Sequence, residues 1–315
     1  MKTPDVFTFS IVTPQEARAR VAGLLDRAFK VSAYQDHFPH IFLPTSSARI
    51  VLALNGKNEV IGTCAIDTEL WPEPRMAQGA CVGSVAVDPH VQGRGVGRQM
   101  LRWTLDQLSL QAQHDFVYLF SDRPAFYESL GFCLAGTETL NILDASKIGP
   151  SAPSLGMELM KPVPAASLDC EQRLSLWSAL EAGRHRGESC SSWLKFNAVF
   201  EIPDLLVTSL HDSSGRWHAG AFIGKGIDFQ GVMHTFFARS ESVLVEFLSR
   251  FAAEFRQAAA QLLLATGVWS PSLGSLLQER ERRPLFMIRG LRQSTAEVIS
   301  EVESQYLYPR ALFSS

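Results

Sequence analysis

The residues best equipped for chemistry in this chain lie in one short run, Gln92-Gly93-Arg94-Gly95-Val96-Gly97-Arg98. A strand-like stretch ending at Val87 precedes the run, and a helix-like pattern follows it. Glycine lets the backbone approach an anion closely, and the first N–H groups of a helix point at it without helical partners. Arg94 and Arg98 add charge-assisted hydrogen bonds to phosphate oxygens. A tight strand-to-helix turn that needs glycine for positive φ accounts for the same glycines by itself. Two other phosphate loops are disfavoured. A Walker loop carries Lys-Ser or Lys-Thr after its last glycine, and here Arg98-Gln99 follows Gly97. A dinucleotide fingerprint requires glycine where Met100 stands, and it opens the first strand–helix unit of its domain.

The elements that must position this loop can be read from periodicity. Val21, Leu24, Leu25 and Phe29 give residues 14–30 a helical stripe. Residues 50–54 and 60–67 read as strands joined at Asn55-Gly56-Lys57-Asn58, a hairpin. A third strand, Val82 to Val87, stops at Asp88-Pro89. Residues 97–112 carry Met100, Leu101, Leu105 and Leu108 on one helical face. A strand from Phe116 to Phe120 and a short helix around 123–130, closed by Gly131, complete the half.

With the loop in this setting, Gln92 to Gly97 resembles the Q/R-x-x-G-x-G/A signature of the GNAT superfamily of N-acetyltransferases. Ser84-Val85-Ala86-Val87-Asp88-Pro89 resembles that family's central strand, and Ala125-Phe126-Tyr127-Glu128-Ser129-Leu130-Gly131-Phe132 its F-Y-x-x-x-G-F segment. The resemblance spans about residues 50–140. It implies an α/β fold with a mixed central sheet flanked by helices. It also implies acetyl-CoA as co-substrate, with the pyrophosphate on Gln92, Gly93, Arg94, Gly95, Val96, Gly97 and Arg98. The pantetheine arm would pair along Val85, Ala86 and Val87, and an amide near Val85 would polarise the thioester carbonyl. Tyr127 matches the position that gives a proton to the departing thiolate, against the plainer reading of a packed positioning group. The position of a strand-borne Glu base in some relatives is Cys81 here. Asp67, Glu69 and Glu73 are the nearest carboxylates, each expected as a solvated loop-edge group. His90 reads as a turn histidine. Arg123, in place of a frequent alanine, either reaches the CoA phosphates or faces solvent.

The segment 145–167, rich in Pro, Ser and Gly, suggests a linker that pairs in part as a strand. We therefore divide the chain into 1–150, the acetyl-CoA-binding catalytic half, and 151–315, a degenerate second copy. Helix 171–182, strands 205–210, 217–223 and 232–237, helix 241–257 and strand 261–265 repeat the first half's order. The counterpart of the glycine loop, Ala238-Arg239-Ser240-Glu241-Ser242, has no glycine and puts Glu241 where a pyrophosphate would sit. Ser240 reads as an N-cap. Arg184-His185-Arg186 is more readily a solvated loop than an anion site.

The 315 residues carry a formal net charge of −3 with no long basic run, which gives nucleic-acid binding no electrostatic support. No window approaches 18 uninterrupted apolar residues, so no membrane span is expected. Five cysteines without C-x-x-C spacing argue against a disulfide framework and a zinc site, and the start of the chain lacks a signal-like apolar run. The expectation is a cytoplasmic, metal-free enzyme acting on a small amine or a peptide. Its oligomeric state is not legible.

Overall fold

The computed structural model describes residues 7–69, 79–143, 156–182, 193–255, 263–266, 277–292 and 294–298. The first half runs β1 (Thr8–Val12), α1 (Pro14–Phe29), a 3-10 turn (Tyr34–His37), α2 (Pro39–Phe42), β2 (Arg49–Leu54), β3 (Val60–Glu69) and β4 (Gly79–Val87). It continues with α3 (Val96–Gln111), β5 (Phe116–Phe120), α4 (Pro124–Glu128) and β6 (Cys133–Leu143). The second half contains β7 (Met157–Pro164), α5 (Cys170–Ala182), α6 (Trp193–Val199), β8 (Leu206–Asp212), β9 (Trp217–Lys225) and β10 (Asp228–Ala238). It continues with α7 (Glu241–Phe255), β11 (Leu263–Thr266) and β12 (Leu277–Gly290).

Local chemistry explains the boundaries. Thr13 Oγ1 accepts the Glu16 N–H at 3.3 Å while Glu16 Oε2 accepts the Thr13 N–H at 2.8 Å, a reciprocal cap that starts α1. Asn55 Oδ1 accepts the N–H groups of Lys57 and Glu59 and closes the β2–β3 hairpin. In the expected linker, β7 is a strand despite Pro162 and Pro164. It lies at the edge of the sheet, where a missing N–H costs no ladder partner. Linker residues 145–155, Glu73 and Arg184-His185-Arg186 lie outside the described residues.

One sheet of twelve strands runs through both halves in the order β1-β2-β3-β4-β5-β12-β6-β11-β10-β9-β8-β7. Each half contributes antiparallel neighbours and one parallel pair, β4–β5 in the first and β10–β11 in the second. The sixth strands are exchanged. β12 pairs antiparallel with β5 of the first half, β6 pairs with β11 of the second, and β6 and β12 also pair with each other.

The halves share a finer detail. Two steps on β3, Thr63 to Ala65, face three on β4, Gly83 to Ala86, which is a β-bulge at Ser84 with φ 48°. On β9 the two steps Gly220 to Phe222 face His234 to Phe237 on β10, a bulge at Thr235 with φ 48°. The same strand carries the same irregularity in both copies.

The sheet has a core on each face in each half. α3 packs Val96, Met100, Leu101, Leu105 and Leu108 against β2 to β5, and Met287 of β12 joins that core. α1, the 3-10 turn and α2 cover the opposite face with Leu24, Leu25, Tyr34, Phe38 and Phe42. In the second half α7 takes the place of α3, while α5 and α6 take that of α1 and α2.

Candidate active site

β4 and β5 pair in parallel only from Gly79↔Phe116 to Cys81↔Tyr118. Beyond that point Leu119 and Phe120 pair with β12, while β4 continues to Val87 beside β3. The C-terminal ends of the two strands therefore part, leaving backbone of β4 without a β5 partner. Ala86 is buried in this stretch, and Val85 and Val87 are partly exposed.

The glycine loop lies directly above. Asp88 anchors its base, accepting from Arg27 Nη2 at 2.6 Å and from the His90 N–H at 3.0 Å. Burial alone would raise the Asp88 carboxyl, but these two partners hold it below the usual carboxylate range. Gln92 Nε2 donates to the Val87 carbonyl at 3.1 Å. Gly93 and Gly95 have φ of 78° and 83°, left-handed conformations that favour glycine. Gly97 answers a different demand: a Cβ there would lie 3.2 Å from Val87 Cγ2 and 3.7 Å from Phe126 Cζ, so its absence brings α3 close to β4 and α4. Gln92, Arg94 and Arg98 are exposed around the first turn of α3. Val96 is buried in the core, so only its backbone can serve a ligand. The arrangement suits an anion held by helix N–H groups and flanking arginines.

Tyr127 approaches from the other flank. α4 follows β5 after three residues and packs Tyr127 edge-on against Phe126 and Phe132. Burial, with the nearby Cys64 thiol, pushes the phenol up to about 12, while a Ser121 hydrogen bond and the Arg123 charge pull the other way. The phenol therefore keeps its proton at neutral pH. Arg123 is exposed, yet its charge is felt at this hydroxyl. Cys64, hydrogen-bonded to Thr104, is itself pushed up to about 12 by burial, which removes it as a nucleophile.

Across the sheet, the Tyr34 hydroxyl and Ser84 Oγ lie 3.3 Å apart, tying the 3-10 turn to the β4 bulge. Asp67 is 4% exposed and faces Cys81 in the β3–β4 register. The expectation of a solvated carboxylate is corrected here, because β3 extends through Glu69 and keeps Asp67 inside the sheet. Cys81 is buried among Phe116, Tyr118 and Phe286. The second half closes this side. Gly226, at φ 56°, sits so near His37 that a Cβ would meet Nδ1 at 2.5 Å, and Lys225 Nζ lies 5.7 Å from the Phe38 ring centroid. Sequence reading missed Tyr34 and the second-half contacts, because neither carries a local periodic signal.

The counterpart of the loop in the second half is a short connection without glycine. Only Arg239 and Ser240 separate β10 from α7, and Ser240 Oγ accepts the Val243 N–H at 3.3 Å as an N-cap. Aligned on the bulges, His234 and Phe237 stand where the first half has Gly83 and Ala86. His234 is fully buried, and burial, helped by the Lys225 charge, lowers its pKa to about 4 against a raising hydrogen bond to the Gly224 carbonyl.

Among the described residues no three His, Cys, Asp or Glu side chains gather as a metal site, and no helix is long and apolar enough to cross a membrane. Residues 46–133 match the family model described as Acetyltransferase (GNAT) domain. No curated protein matches the chain. Solved structures do. A GCN5-related N-acetyltransferase from Kribbella flavida is 18% identical, with a TM-score of 0.62 over 92% of this chain and 72% of that one. A probable N-acyltransferase from Enterococcus faecalis V583 is 12% identical, with a TM-score of 0.67 over 95% and 75%. A tandem GNAT protein from the clavulanic acid biosynthesis pathway is 12% identical, with a TM-score of 0.55 over 92% of this chain and 100% of that one. At these identities the likeness is one of fold.

Proposed function

We propose, from the match of residues 46–133 to the GNAT acetyltransferase domain, that the chain moves acetyl from acetyl-CoA to a primary amine by direct attack on the thioester. The observation that carries this reading is the parting of β4 from β5 beneath a loop of positive-φ glycines. The pantetheine arm takes the place of the missing strand partner along Val85, Ala86 and Val87, and the pyrophosphate meets the N–H groups and arginines of residues 92–98. The bulge at Ser84 re-aims the next amide, supplying an oxyanion-type donor near Val85. The amine nitrogen bonds the carbonyl carbon, the C–S bond breaks, and the proton lost by nitrogen ends on sulfur.

Tyr127 is the donor to that sulfur. A phenol near 12 gives its proton outright to a thiolate of ordinary pKa ~8.5 at a cost of about 5 kcal/mol. Its work is therefore to hydrogen-bond the sulfur as charge develops and to pass on the proton released by the amine. An enzyme drawing on the acetyl-CoA pool, with unpatterned cysteines, fits a cytoplasmic setting. A competing reading, a sensor that binds acetyl-CoA without turnover, is favoured by Cys81 standing where some relatives carry a carboxylate. Turnover separates the two, since a sensor releases CoA no faster than background in any amine panel; steady-state kinetics of Tyr127→Phe then tests the donor. We expect kcat to fall about 10²-fold with little change in acetyl-CoA affinity. Full activity in that variant would reduce Tyr127 to packing.

A further inference from the structure

We propose that Arg289, in the second half, is a positioning residue for Tyr127, so that the degenerate copy completes the working site through its last strand. This inference rests on the reading of Tyr127 as the donor to the CoA sulfur. β12 lies between β5 and β6, and Arg289 pairs in register with Val117 of β5. Its side chain runs over Gly131, whose φ of 84° ends the α4 turn. A Cβ on Gly131 would lie 3.6 Å from Arg289 Nε and 3.7 Å from Cδ. Arg289 Nη1 then donates to the Leu130 carbonyl at 2.6 Å, a partly buried, charge-assisted bond.

Leu130 belongs to the turn that holds Tyr127. The N–H groups of Leu130 and Phe132 both donate to the Tyr127 carbonyl, at 2.9 and 3.2 Å. α4 spans only Pro124–Glu128, too short to be stable alone, so its placement depends on what grips its end. Arg289 grips it from the half that carries no glycine loop. Just beyond, Arg292 Nη1 donates to the Ala112 carbonyl at 3.2 Å where α3 ends, and the Leu291 N–H donates to the Asp115 carbonyl at 2.8 Å. The end of β12 thus touches the termini of both helices that flank the parted strands. A shift of about 1 Å in a donor costs up to ~10²-fold in rate, so a lost grip on α4 registers in kcat before it registers in fold.

The test is Arg289→Met in the full chain, which keeps the apolar stem over Gly131 and removes the donor. Two readouts are taken: hydrogen exchange of amides 125–132, and CoA release from acetyl-CoA with whichever of phenethylamine, spermidine or a peptide with a free N-terminus the wild type turns over. We expect exchange in 125–132 to quicken about tenfold or more while Val117 to Leu119 stay protected. We expect kcat to fall roughly tenfold or more with the acetyl-CoA KM unchanged, the double variant to be no slower than Tyr127→Phe alone, and partial recovery in Arg289→Lys. Unchanged exchange and kcat in Arg289→Met would overturn the proposal. If Tyr127→Phe alone is fully active, the donor reading fails, and the exchange experiment still decides whether Arg289 holds α4. If Arg289→Met does not fold, Arg289→Lys is read by the same two measurements, and wild-type exchange together with kcat lowered as in Tyr127→Phe would reject the proposal.

Discussion

Gly95→Asp is expected to yield a folded chain that no longer binds acetyl-CoA. Gly95 sits at φ 83° just before α3, and its added Cβ would meet only Gln99 Nε2 at an ordinary 3.6 Å. The fold has room for the side chain, and the left-handed backbone costs an aspartate about 1 kcal/mol. The carboxylate, however, lies at the N–H groups assigned to the pyrophosphate, where its charge opposes the ligand. Thermal unfolding makes the loss visible. At about a hundredfold excess over Kd, acetyl-CoA stabilises a binding chain by about 2.7 kcal/mol, and it should leave the melting temperature of the variant where it was. An upward shift equal to that of the wild type would remove the loop from the site.

The second large effect follows from strand exchange. Residues 1–150, expressed without the rest, should fail to give a soluble protein that binds acetyl-CoA. Without the second half, β6 loses both of its neighbours, β12 and β11, and β5 becomes a bare edge. Phe286, Met287 and Ile288 are fully buried against the first half's strands, and removing each forfeits about 1.5–3 kcal/mol of apolar burial. Their sum reaches the whole stability of an ordinary domain, about 5–15 kcal/mol. Edge exposure then adds a route to aggregation. A monomeric 1–150 fragment that binds acetyl-CoA as the full chain does would show that the exchanged strand is dispensable.

Most elements of both halves were legible because their signals are local. The hairpin announces itself in Asn55-Gly56-Lys57-Asn58, α3 in its apolar stripe, and the glycine loop in residue types that serve close backbone approach. β12 was not legible. Gln278 to Pro284 is charged and proline-bearing, and only Phe286 to Ile288 reads as buried strand. Its partner β5 lies far back in the chain, and pairing at such separation leaves no periodic trace. The same limit applies to the site. Tyr127 and the loop carry motifs, whereas the Tyr34–Ser84 contact, the burial of Asp67 and the grip of Arg289 exist only once the chain has folded. The bulges at Ser84 and Thr235 were equally invisible, since neither position holds the glycine that a positive φ advertises. They are nonetheless a close structural link between the halves.

The second half supplies the first with a strand, the Arg289 bond and the turn at Gly226, and the proposed thioester site lies in the first half alone. The measurement that tests this most directly is a calorimetric titration of acetyl-CoA into the 315-residue chain. Saturation at one acetyl-CoA per chain is the expected result, because only β4 leads into a glycine loop. Two sites per chain would contradict the assignment of a silent second half, and no binding would contradict the assignment of the first.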